Sequence, residues 1–167
     1  MIVRTFMTLA LAAACLEAMP KAQAADAAKV KRGEYLAAIM DCGGCHTPGA
    51  LAGRPDMSAR LGGSDVGFQI PDLGTFYPPN LTPHAEAGIG SWDEAGIITA
   101  LRTGVRPDGR ELAPAMPWRS YSAISDEDAL ALVAYLKSLP AVDRKVPAPV
   151  GPSEKPPAPY FTVVVPD

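Results

Sequence analysis

Cys42-Gly43-Gly44-Cys45-His46 carries the pattern Cys-x-x-Cys-His, the attachment site for a c-type haem. Two thiols three positions apart lie on one helical turn, where each can add to a vinyl group of the same porphyrin. The His that follows is then held against the iron as its proximal ligand. Gly43 and Gly44 carry no side chains, so the macrocycle can lie close to the backbone there. Two rival readings fit less well. A thioredoxin-like dithiol belongs at a strand-to-helix junction, and no Val/Ile-rich strand precedes Cys42. A structural zinc site needs four ligands, and beyond Cys42, Cys45 and His46 residues 25–167 offer only His84 as a further Cys or His.

The chain has 167 residues, 48% of them hydrophobic, enough for one globular domain with additional ends. Its start reads as a leader. Met1 to Thr8 carries one positive charge, Arg4, and Leu9 to Ala14 continues an apolar core. Ala22-Gln23-Ala24 then matches the small-x-small pattern of a signal-peptidase site. Residues 1–24 are therefore expected to be a signal peptide, cleaved before Ala25. The apolar run is too short for a membrane span. Cys15, within the run, is either an incidental cysteine or a lipobox residue whose acylation would tether the protein to a membrane. Ala12 stands where a lipobox usually carries a larger apolar residue. Covalent haem attachment takes place on the oxidising side of the membrane, so a periplasmic location is expected.

The formal charge of the whole chain is −3. Loss of Arg4, Lys21 and Glu17 with the leader makes it about one unit more negative. No basic patch marks a nucleic-acid partner.

Helical patterning runs from about Asp26 to Met40, with Val30, Leu36, Ile39 and Met40 as larger apolar positions. Gly33 inside it admits two readings: a close crossing by another helix, or a tolerated exposed glycine costing about 1 kcal/mol relative to Ala. Thr47 to Pro83 is rich in Gly and Pro and shows little periodicity. A loop this long needs something to pack against, and the edge of a haem is sufficient. Ser91-Trp92-Asp93-Glu94 reads as a capping box for a helix carrying Ile97, Ile98 and Leu101 and ending at Gly104. Arg106-Pro107-Asp108-Gly109-Arg110 is a turn. Ser125 caps a last helix, with Asp126, Glu127 and Asp128 at its positive end and Pro140 after it. The tail, residues 141–167, holds seven of the chain's 18 prolines, which favours extended structure over a packed core. Its end, Tyr160 to Val165, is apolar and β-prone, fit to lie against the domain or to add a strand to a partner.

The second face of the iron needs a ligand or an open position: an open site suggests gas binding or catalysis, a second strong ligand electron transfer. Met40, Met57, His84 and Met116 are the candidates. Met40 precedes the motif by two residues and falls on the wrong side. Met57 would need a tight detour around the ring edge. Met116 lies in Ala113-Pro114-Ala115-Met116-Pro117-Trp118, where prolines on both sides restrict the backbone. It is the expected ligand, with His84 the alternative.

With these motifs the sequence resembles a class I cytochrome c from about Lys29 to Pro140. Tyr77-Pro78-Pro79-Asn80-Leu81-Thr82-Pro83, Gly88-Ile89-Gly90-Ser91-Trp92, Leu101-Arg102-Thr103-Gly104, Arg106 to Arg110, Ala115-Met116-Pro117 and Ala134-Tyr135-Leu136 resemble the cytochrome subunits of bacterial periplasmic alcohol, aldehyde and gluconate-type dehydrogenases. Those usually carry three such domains; this chain has one motif and no internal repeat. The resemblance implies an all-α fold with crossed first and last helices around one haem c, formed by residues 25–140. His46 and Met116 would be axial to the iron, and Cys42 and Cys45 thioether-linked. Arg102 and Arg106 are propionate candidates, or solvated surface arginines. Trp92, Trp118 and Tyr121 are haem-wall or core aromatics. The implied role is single-electron transfer rather than catalysis, toward a dehydrogenase donor and a cytochrome or oxidase acceptor in a respiratory chain. The alternative is a haem enzyme or a gas or peroxide sensor whose sixth ligand dissociates.

Overall fold

Gly33 sets the architecture. It lies on α1 (Lys21–Ile39), where α5 (Asp126–Ser138) crosses so closely that a Cβ would strike the Ala131 carbonyl and the Cβ of Tyr135. Of the two readings of this glycine, the close crossing is the one realised. Leu36 and Ala37 of α1 pack with Leu132, Val133 and Leu136 of α5, and Ile97 of α3 (Glu94–Thr103) joins them. Arg32 ties the crossing at its rim, donating to both Asp128 oxygens at 2.8 and 3.1 Å. The computed structural model describes residues 21–164 and residue 166. The expected leader lies outside the described residues, Cys15 included, apart from residues 21–24, which open α1.

The helix boundaries follow local chemistry. Ser125 caps α5, its side chain accepting from the Asp128 N–H. Gly104 ends α3 in the left-handed conformation at φ 74°, and Trp118 fills the space a side chain there would need. The capping box at Ser91 is shifted: Asp93 is the N-cap and accepts from Gly96 N–H. The turn 106–110 forms as expected, with Gly109 N–H donating to Arg106 O and Gly109 at φ 79°. Two short helices complete the set, α2 (Cys42–His46) and α4 (Trp118–Tyr121).

An all-α fold was expected, and the structure corrects this to mixed α/β. Among the described residues only α1, α3 and α5 exceed five residues, and a three-stranded sheet stands beside them in the order β2-β1-β3. Strands β1 (Gly67–Ile70) and β2 (Gly74–Phe76) form an antiparallel hairpin turned by Pro71 to Leu73, with Asp72 at φ 63°. Strand β3 (Tyr160–Phe161) comes from the tail and pairs parallel with β1. Strands of four, three and two residues are too short to show an alternating pattern, and the third is distant in sequence. Of the two roles open to the tail's end, lying against its own domain is the one seen. Tyr77 Oη donates to Ala158 O and accepts from Ala158 N–H, Thr75 and Val150 exchange backbone bonds, and the Phe68 and Phe161 rings lie 6.1 Å apart.

Two outcomes follow from the crossing. Gly33→Ala is expected to lower unfolding free energy by about 1–3 kcal/mol, because the obstructing atoms include backbone that cannot yield; a urea titration with unchanged midpoint would contradict this. The hydrogen bond from Arg32 holds the partly exposed Asp128 carboxyl below its ordinary range. A depressed carboxylate pKa adds stability above the unfolded-state value, and this is lost as pH falls through the folded one. Arg32→Gln should therefore move the Asp128 titration, followed by NMR, upward toward that of a free aspartate.

Candidate functional site

The attachment helix α2 is short and tightly framed. Asp41 enters it in the left-handed conformation, φ 53°, and Gly44 N–H donates to Asp41 O at 3.1 Å. A Cβ on Gly44 would strike the Asp41 carboxyl, whereas one on Gly43 would meet only Thr47 Oγ1 at 3.6 Å. A side chain at Gly44 would thus have to displace the Asp41 carboxyl. Cys42 and Cys45 are free, half-buried thiols one turn apart. Burial pushes the Cys42 thiol up to about 11 and the Cys45 thiol upward too. At neutral pH both are therefore protonated thiols, and they are the residues that would hold a haem through its vinyl groups.

His46 is buried, and burial lowers its pKa, keeping the imidazole neutral and able to bind metal. Its Nδ1–H donates to the Pro79 carbonyl at 2.7 Å. That bond settles the tautomer and leaves the Nε2 lone pair for a ligand role. The loop carrying Pro79 is stitched to the segment after α2, Ser64 N–H donating to Pro78 O and Leu81 N–H to Leu61 O, while Gly63 N–H ties that segment back to His46 O.

Met116 lies half-buried in a turn in which its N–H donates to Ala113 O and its carbonyl accepts from Trp118 N–H. Tyr121, at the end of α4, donates to Met40 O at 2.8 Å and so fastens this loop to the chain just before Cys42. His84 is otherwise engaged. Its Nδ1 accepts from Ala87 N–H at 3.0 Å, and its Nε2 faces Asp143 at 3.5 Å. Arg102 donates to Ile124 O and Asp126, and Arg106 pairs with Asp108 while its guanidinium lies 5.1 Å from the Trp92 ring. The Nε atoms of Arg102 and Arg106 are nevertheless buried without a hydrogen-bond partner. Such donors are costly unless an acceptor meets them, and a propionate is a suitable one.

The described residues therefore fit a covalently attached haem: paired thiols on one turn and a neutral, oriented imidazole. The family profile for cytochrome c matches residues 30–140. The chain belongs to the cytochrome c family. With the family comes covalently bound haem c and its iron. Relatives include the cytochrome c subunit of the quinone alcohol dehydrogenase of Gluconobacter oxydans, 43% identical over 68% of this chain and 22% of its own length. The gluconate 2-dehydrogenase cytochrome c subunit of Pantoea cypripedii is 40% identical over 79% and 28%. The fructose dehydrogenase cytochrome subunit of Gluconobacter japonicus is 37% identical over 70% and 22%. This cytochrome c thus spans under a third of each of these relatives.

Sequence reasoning missed Lys137. A lysine late in an amphipathic helix ordinarily reads as solvated, and nothing in the local pattern marks this one. Its ammonium donates to Ile89 O, Gly90 O and Trp92 O at 3.0, 3.1 and 2.6 Å, using all three of its protons. It thereby closes the 84–92 turn and fixes the backbone of Trp92, beneath Arg106. Lys137→Met should cost about 2 kcal/mol, since charged hydrogen bonds are lost and carbonyls left unmet; equal denaturation midpoints for the two proteins would refute the clamp.

Proposed function

We propose that this cytochrome c is a periplasmic one-electron carrier with a single haem and His46/Met116 axial ligation. It would serve as the cytochrome partner of a dehydrogenase and pass electrons toward a respiratory chain. The observation that carries the reading is the buried neutral His46, held through Nδ1 by Pro79. A ligand so fixed changes little between oxidation states. When bound, haem c supplies an iron centre that cycles between Fe(II) and Fe(III). Cys42 and Cys45 would hold it by thioethers, and Arg102 and Arg106, whose Nε–H groups lack a partner, would be the candidates to meet its propionates.

Met116 is favoured over His84 because both His84 ring nitrogens already face partners, whereas prolines pre-set the Met116 turn. A thioether opposite imidazole favours the reduced state and raises the potential. The dehydrogenase association rests on the cytochrome subunits among the relatives, and the periplasmic location on the leader-like residues 1–24. Membrane association would come through a partner or through a lipidated Cys15.

Met116→Ala should abolish the far-red sulfur–iron band, admit CO to the reduced protein and shift the one-electron equilibrium toward Fe(III) by about tenfold or more, about 59 mV. His84→Ala should leave all three unchanged. Rapid CO binding to the unaltered protein would overturn the electron-transfer reading in favour of a ligand-binding haem.

A further inference from the structure

The tail does more than add a strand. Asn80, the residue after Pro79, is 1% exposed and satisfies its whole amide. Its Nδ2 donates to Val142 O at 2.8 Å and Arg144 O at 3.2 Å, and its Oδ1 accepts from Thr82 N–H at 2.9 Å and Thr82 Oγ1 at 2.7 Å. Thr82, fully buried, also accepts from Val142 N–H at 3.0 Å. The segment immediately after α5 is therefore bolted to the loop that faces His46.

We infer that residues 142–144 belong to the mount of the proximal ligand, with Asn80 a positioning residue that acts through the Pro79 carbonyl on His46. The inference rests on His46 as an axial ligand. The acceptor of the His46 proton is the oxygen of the Pro79–Asn80 peptide, a planar unit. On one side the Pro79 ring restricts φ. On the other, Asn80 is held by four hydrogen bonds, two of them to the tail. The orientation of that carbonyl thus depends on chain that lies beyond the last helix. Two backbone bonds, Ser64 N–H to Pro78 O and Leu81 N–H to Leu61 O, hold the same region from another side, so loosening the tail weakens the His46 bond without removing it. A weaker bond makes the imidazole a poorer donor to iron, which favours Fe(II).

The test uses the haem-loaded protein in four forms: unaltered, Asn80→Ala, shortened after Pro140 and shortened after Gly151. The last keeps residues 142–144 and loses β3. Readouts are the midpoint potential and the solvent exchange of His46 Nδ1–H in the ferrous protein. Asn80→Ala and the chain ending at Pro140 should each favour the reduced state about threefold or more, about 28 mV at about 59 mV per tenfold, with faster exchange. The chain ending at Gly151 should match the unaltered protein. Thr82→Val, close in shape but without the hydroxyl that Asn80 and Val142 use, should shift both readouts the same way and replaces any form that fails to hold haem. Unchanged potential and exchange in Asn80→Ala, or in Thr82→Val where it stands in, would overturn the inference, as would an equal shift on removing β3 alone. A missing sulfur–iron band in the unaltered protein would sink Met116 ligation but not this test, which reads His46.

Discussion

The hydrogen bond from His46 Nδ1 to the Pro79 carbonyl, 2.7 Å long, joins the two halves of the site. On one side is α2, with its paired thiols. On the other is a Pro-rich loop with no regular secondary structure of its own. A buried imidazole without that acceptor could rotate or exchange tautomer, and Nε2 would no longer be reserved for metal. Bonds at both ends of the stretch from residue 61 to 82 hold the loop of this carbonyl in place. Ser64 and Leu81 stitch its loop to the segment that follows α2, and Asn80 holds the peptide itself.

The crossing of α1 and α5 makes this possible. Because Gly33 lets the helices approach to backbone contact, α2 is brought over the same core that α5 closes. The residues leaving α5 then run directly past Asn80 and Thr82. Lys137, on α5, closes the neighbouring 84–92 turn through carbonyls alone. The last helix and the residues leaving it thus support two loops.

Strong local signals were legible in the sequence. The attachment motif, the Gly104 stop, the Ser125 cap and the 106–110 turn each depend on chemistry within a few residues, and each stands where expected. The β1–β2 hairpin was not legible, because its strands hold only four and three residues; the tail's end read as β-prone, but its pairing with β1, distant in sequence, left no signal. The cap of α3 reads two residues early because Ser91 and Asp93 both precede an acidic residue or an apolar run, and only the entry geometry chooses between them. Asn80 and Lys137 act through distant carbonyls, which leave no trace in side-chain pattern.

The same distinction explains how a chain so rich in Gly and Pro holds a site rigid. Apolar burial is non-directional and cannot by itself aim an imidazole or a thioether. Backbone carbonyls can, once their peptide planes are fixed, and proline fixes φ without needing a partner for its nitrogen. Pro78 and Pro79 frame the carbonyl that His46 meets; Pro114 and Pro117 frame Met116. The side chains that complete these loops, Asn80, Thr82, Tyr121 and Lys137, all reach backbone carbonyls or, for Thr82, the N–H of Val142. The helices supply the core, and the loops supply direction. One-electron chemistry needs both, because a ligand that moves with oxidation state adds its rearrangement to every transfer.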